Sequence, residues 1–140
     1  MLKKRHKIPV ANFIGHADIA PGRKVDPNPN FPWEKLAEEG FGHWYDEEVI
    51  KGISRDSIAI SEVNIESEIS GTEMRELGKS ADSLHLNMDP KLAMRVIGYD
   101  VSDLDAAIRS FKIHFIQKEI NSGLTEEDLK ILYNLYRKYL

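Results

Sequence analysis

The sequence predicts an α/β fragment (one strand, one loop and one helix) followed by a small three-helix bundle. Three observations carry that reading. Apolar residues Val10, Phe13 and Ile14 run up to Gly15 in a pattern that fits a strand over 8–14. Pro32 at a first helical position and Gly40 just past the end bracket a short helix over 32–39. From Asp89 onward, apolar side chains recur at helical spacing in three successive segments.

Between strand and helix, residues 15–30 are dense in Pro, Gly, Asp and Asn and read as loop. Trp33 and Leu36 share one face of the helix that follows, with Trp33 as its core anchor. Residues 1–46 hold too few elements for a core of their own, so this half is expected to be poorly ordered without partner strands, which domain swapping or another polypeptide could supply. Residues 47–88 read as a linker or insertion. Ile58, Ile60, Val63, Ile65 and Ile69 go only part of the way toward strand alternation among Ser, Glu and Asp, and a short helix over 73–77 capped by Thr72 fits there.

Residues 89–140 form the bundle. Asp89 caps a helix with Pro90 at its first position, which runs to Ile97 and stops at Gly98. Ser102 is placed to cap the second, whose stripe is Leu104, Ala107, Ile108, Phe111 and Phe115. Asn121-Ser122-Gly123 is a turn, and Thr125 with Asp128 forms a capping box for the third, lined by Leu129, Leu132, Leu135, Tyr136 and Tyr139.

A chain of 140 residues with 41% apolar and 30% charged residues and a net charge of −4 is ordinary for a globular protein. The acidic balance removes any sequence-independent attraction to nucleic acid, and no basic helix supports a DNA-binding reading of the bundle. There is no cysteine, hence no disulfide, thiolate ligand or Cys nucleophile. No segment approaches the ~20 apolar residues of a membrane span. The basic start, Met1 to His6, is followed by too short an apolar stretch for a signal peptide. The chain as written reads as cytoplasmic; as the tail of a longer exported protein it belongs to the cell envelope.

The stretch from Gly15 to Pro29 sets an imidazole, His16, and a carboxylate, Asp26, on either side of a Pro21-Gly22 turn and two cations, Arg23 and Lys24. Both side-chain types bind Zn²⁺, and a catalytic zinc takes about three protein ligands plus an open position. On spacing alone, a surface turn with Asp26 capping backbone amides fits as well or better.

The whole string is more specific than the pair. Gly15-His16, Asp18-Ile19-Ala20-Pro21-Gly22-Arg23-Lys24, Asp26-Pro27, Phe31-Pro32-Trp33 and Gly42 near Trp44 resemble the signature of the zinc-dependent N-acetylmuramoyl-L-alanine amidases, the family related to peptidoglycan recognition proteins. Ala17 stands where that family has Ser, and Asn28 where it has Gly. The resemblance implies that His16 and Asp26 are zinc ligands and that Lys24 is catalytic. Arg23 then positions the loop or a substrate carboxylate, and Asp18 accepts from a ligand's second ring nitrogen or caps the loop. It further implies a first zinc-binding His and a catalytic Glu well upstream of this run, for which there are no positions in these 140 residues. Zinc affinity with His16 and Asp26 alone is expected to be poor. His6, His43, His85 and His114 are not assigned to metal.

The bundle is similar to the three-helix peptidoglycan-binding module, on Ile97-Gly98-Tyr99, Ala107-Ile108, Phe111-Lys112 and Gly123-Leu124-Thr125 with Asp128. The expected organisation is thus 1–46 as the C-terminal part of an amidase domain, 47–88 as linker, and 89–140 as the binding module. Two functions follow from the resemblances. One is zinc-dependent hydrolysis of the amide between N-acetylmuramic acid and L-alanine in peptidoglycan or muropeptides, incomplete until an upstream polypeptide is supplied. The other is a non-catalytic fragment that binds peptidoglycan.

Overall fold

The computed structural model describes residues 5–52 and 88–140. The linker's isoleucines, the helix expected over 73–77 and His85 lie outside them. A 3-10 turn at Val10–Asn12 opens the described chain, followed by α1 (His16–Ile19), α2 (Trp33–Glu38) and α3 (Glu47–Gly52). The second part holds α4 (Pro90–Ile97), α5 (Leu104–Phe111), a π-helical continuation of α5 (Lys112–Ile116) and α6 (Glu126–Tyr139).

The predicted α/β class does not hold: among the described residues there is no strand, and the architecture is helical. Pro9 has no N–H to give a ladder, and the chain after it closes a 3-10 turn, the Asn12 and Phe13 amides bonding the carbonyls of Pro9 and Val10 at 3.1 and 3.3 Å. Of the apolar residues of 8–14, Ile14 is exposed and Phe13 packs by its side chain instead. Phe13 meets Phe41 edge to face, with ring centres 5.1 Å apart. A strand needs a neighbour to satisfy its backbone, and none is among the described residues.

Helix α2 ends as its sequence requires. The Gly40 amide bonds the Ala37 carbonyl and the Phe41 amide bonds that of Leu36, both at 2.8 Å, which is a Schellman closure. α3 covers part of what reads as linker, with Ile50 buried in the main core. Its preceding Asp46 amide bonds Asn134 Oδ1 at 3.0 Å, tying α3 to α6.

The bundle follows its sequence signals closely. Asp89 caps α4 through the Lys91 amide at 2.9 Å, and α4 stops at Gly98, whose φ of +118° only glycine adopts freely. The cap of α5 is Asp103 rather than Ser102: Asp103 Oδ1 accepts from the Ala106 amide at 2.9 Å, while Ser102 bonds back to Asp100. Thr125 and Asp128 form the expected box at the start of α6. Met94, Ala107, Phe111, Leu132 and Leu135 are fully buried at the centre.

Candidate metal-binding edge and its buried support

His16 begins α1 and Asp26 returns beside it. Gly15 precedes the helix, the Arg23 and Lys24 amides both bond the Ala20 carbonyl at 3.1 Å, and the Asp26 carbonyl accepts from the Ala17 amide at 2.9 Å. This backbone closure turns ten residues into a compact loop that brings the two side chains together: His16 Nδ1 lies 2.6 Å from Asp26 Oδ2. An ionised carboxylate only accepts, so the ring donates from Nδ1. That bond holds the Asp26 carboxyl below its usual range, and the Lys24 charge adds to the effect.

The edge is open to solvent, with His16 and Asp26 side chains 69% and 59% exposed. Imidazole and carboxylate are donors that zinc accepts, so the pair fits the ion in kind. It does not by itself complete a site: among the described residues no group of three or more His, Cys, Asp or Glu side chains is arranged for a metal. Lys24 is exposed on the same loop. Arg23 is exposed as well. The Ser102 amide and hydroxyl hold the Asp100 carboxyl low, and the Arg23 charge contributes there.

Asp18 is not at the solvent edge. It is 7% exposed and bonds inward. Tyr99 Oη donates to its Oδ1 at 2.6 Å, and Oδ2 accepts from the Gly15 amide at 2.8 Å and from His114 Nδ1 at 2.7 Å. These contacts satisfy both oxygens of a buried carboxylate, and the ring on Asp18 is that of His114, not of His16.

His114 lies flat between two rings, Trp33 and Phe115, each with centroids 4.0 Å away. Its Nε2 is buried without a protein partner. A cavity of about 50 Å³ adjoins this cluster, lined by Asp18, Tyr99, His114 and Tyr139 among apolar neighbours. Burial and the nearby Asp18 charge push the Tyr139 phenol up to about 12, and burial pushes Tyr99 well above the usual value.

No family model matches the chain. The N-acetylmuramoyl-L-alanine amidase AmiD of Escherichia coli (strain K12) is 55% identical over 42 residues, which is 30% of this chain and 15% of AmiD. The solved complex of E. coli AmiD with anhydro-N-acetylmuramic acid-L-Ala-D-gamma-Glu-L-Lys superposes on 99% of this chain with a TM-score of 0.63 and 26% identity. AmpDH3 from Pseudomonas aeruginosa also covers 99% of it, at a TM-score of 0.63 and 30% identity, and is known in complex with anhydromuramic pentapeptide. This chain is a relative of the N-acetylmuramoyl-L-alanine amidases. It spans about half the length of those solved amidase chains, 48% and 50%.

The amidase resemblance pointed to His16, Asp26 and Lys24, and it did not point to the contacts of Tyr99 and His114 with Asp18. A signal was present. His114 lies just after α5 between the buried rings of Phe111 and Phe115, where a ring nitrogen calls for a partner. The π-helical turn hid it, because there four consecutive residues, Lys112 to Phe115, are all buried and the ordinary helical spacing fails.

Proposed function

We propose that this chain carries the C-terminal part of a zinc-dependent N-acetylmuramoyl-L-alanine amidase domain (1–46), a linker (47–88) and a peptidoglycan-binding-like helical module (89–140). It would hydrolyse the amide between N-acetylmuramic acid and L-alanine once a family segment bearing the upstream His and Glu is joined to it. The observation that carries this reading is the meeting of His16 Nδ1 and Asp26 Oδ2 at 2.6 Å on an exposed edge. The muropeptides bound by AmiD and AmpDH3 support the substrate class.

In this reading His16 and Asp26 hold the ion, and the upstream His supplies the third ligand. Bound by these residues, zinc would supply a water acidified toward a pKa of about 7 for attack on the amide. Lys24 provides a fixed positive charge beside the pair, suited to the negative charge that develops on the amide oxygen, a role worth roughly 3–4 kcal/mol per donor in comparable sites. Arg23, exposed on the same loop, would position the loop or a substrate carboxylate.

The test fuses this chain behind an amidase segment carrying the upstream His and Glu and follows peptide release from anhydro-muropeptides. Release that needs Zn²⁺, stops with chelator and is lost in His16→Ala and Asp26→Ala supports the proposal. A folded fusion that binds cell wall and releases nothing leaves the non-catalytic peptidoglycan-binding reading in its place.

A further inference from the structure

The exposed pair and the buried cluster are joined by a short run of contacts. Tyr99 follows the Gly98 stop of α4, and His114 lies in the π-helical turn after α5, so both belong to the helical module. They grip Asp18, whose Oδ2 also takes the Gly15 amide at 2.8 Å, the peptide group immediately before His16. Gly15 is wedged as well: a Cβ there would lie 2.6 Å from Pro27 Cδ and 3.2 Å from the Trp33 ring. Pro27 follows Asp26, and Trp33 is stacked on His114. The module therefore fixes the backbone on both sides of the pair, through Asp18 at His16 and through Trp33, Gly15 and Pro27 at Asp26. Two further ties seat the same loop. Gly22 lies against Ala106 of α5, and Gln117 Nε2 donates to the Phe31 carbonyl at 2.7 Å.

We infer that Tyr99 and His114 of the helical module are positioning residues for the His16–Asp26 pair, so that the module sets the geometry of the metal edge in addition to any role in binding cell wall. The functional meaning of this rests on the reading of that pair as metal ligands. Neither residue touches the ion or the substrate; both act through Asp18 and Trp33. Partners that hold a ligand directly change metal affinity by about 10–100-fold when altered, and Tyr99 and His114 act one step further out, through Asp18 and Trp33.

The experiment compares the intact chain with Tyr99→Phe, Asp18→Asn, His114→Asn, His114→Leu and, as a control remote from the loop, Asn134→Ala. Folding of each is checked by circular dichroism. Two quantities are read: the imidazole NMR resonances of His16 in metal-free protein, and Co²⁺ affinity by visible absorption. Tyr99→Phe and Asp18→Asn are expected to shift the His16 resonances and weaken Co²⁺ binding by up to about 10-fold. His114→Asn, which keeps a donor near the Nδ1 position, is expected to retain more of the wild-type signal than His114→Leu, and Asn134→Ala to leave both readouts alone. His16 resonances unchanged in folded Tyr99→Phe and His114→Leu overturn the inference. Resonances that move in a chain whose wild type takes up no Co²⁺ uphold the positioning and remove the two-ligand metal edge instead.

Discussion

Tyr99 and Asp18, 81 positions apart in sequence, are joined by a 2.6 Å hydrogen bond in the interior. The bond crosses from the residue after the Gly98 stop of α4 to α1, and both residues are less than a tenth exposed. A hydrogen bond to a charged group contributes about 1.5–3 kcal/mol, and removing one donor leaves a buried carboxylate less compensated. Tyr99→Phe keeps the ring and its edge-to-face contact with Phe111 while deleting only the hydroxyl. It is expected to lower unfolding free energy by about 1.5–3 kcal/mol in urea titrations. A loss below a few tenths would mean that the bond contributes nothing net.

Alkaline pH provides a second measure of the same seam. The phenols of Tyr99 and Tyr139 are raised by burial, the latter to about 12, against about 10 in an unfolded chain. A folded pKa above the unfolded one means the stabilising difference is fully present below pH ~10 and is lost as pH rises through the folded value. Tyr139 phenolate absorbance should therefore appear only near pH 12, and Tyr99 ionisation only well above the usual range, each together with loss of tertiary circular dichroism. Their ionisation near pH 10 in a protein that stays folded would contradict the burial on which the seam depends.

Much of the bundle was legible because its helices are bounded by local chemistry: Asp89-Pro90, Gly98, and Thr125 with Asp128 act within a few residues of themselves. The loop pair was legible through a resemblance, since spacing alone leaves a surface turn equally plausible. The strand over 8–14 misled because a strand is defined by its neighbour, and side-chain alternation carries no information about whether one is present. The Asp18 cluster was hidden for a related reason. Its partners come from two distant segments, and one of them lies in a π-helical turn that interrupts the helical period.

Close packing at Gly15 gives a third expectation. An added Cβ would lie 2.6 Å from Pro27 Cδ, so Gly15→Ala has to displace either the start of α1 or the Asp26-Pro27 segment. Overpacking of this kind costs about 1–3 kcal/mol. The thermal midpoint should fall, and NMR should show the His16 and Asp26 side chains decoupled. An unchanged His16–Asp26 coupling in this variant would show that the loop tolerates movement at Gly15 without loss of the pair.

The exposed pair has its own acid signature. Asp26 is held below its usual pKa first by the His16 hydrogen bond, and a folded pKa below the unfolded one means the favourable interaction is present above pH ~3.9 and lost as pH falls through the lower folded value. His16→Ala should raise the Asp26 carboxyl back toward the ordinary range in a carbon-detected NMR titration, with little change in global stability because both groups face solvent. A titration of Asp26 that does not respond to His16→Ala would mean the two side chains do not meet in solution.

The loop before α6 depends on a buried ion pair. Lys112, 1% exposed, sits 3.0 Å from Asp128 Oδ2 and donates to Asn121 Oδ1 at 2.8 Å. Asp128 also accepts from the Thr125 amide, so one carboxylate both caps α6 and neutralises an interior ammonium. Breaking a buried pair from one side strands the other charge and costs about 3–5 kcal/mol, whereas removing both charges costs much less than the sum. Asp128→Asn and Lys112→Met should each destabilise the chain by about that amount, and the double variant should recover a substantial part of it in a denaturant-unfolding cycle. Strict additivity of the two losses would show that the ammonium and the carboxylate are each solvated on their own, and that the turn at Asn121 to Gly123 is held by something else.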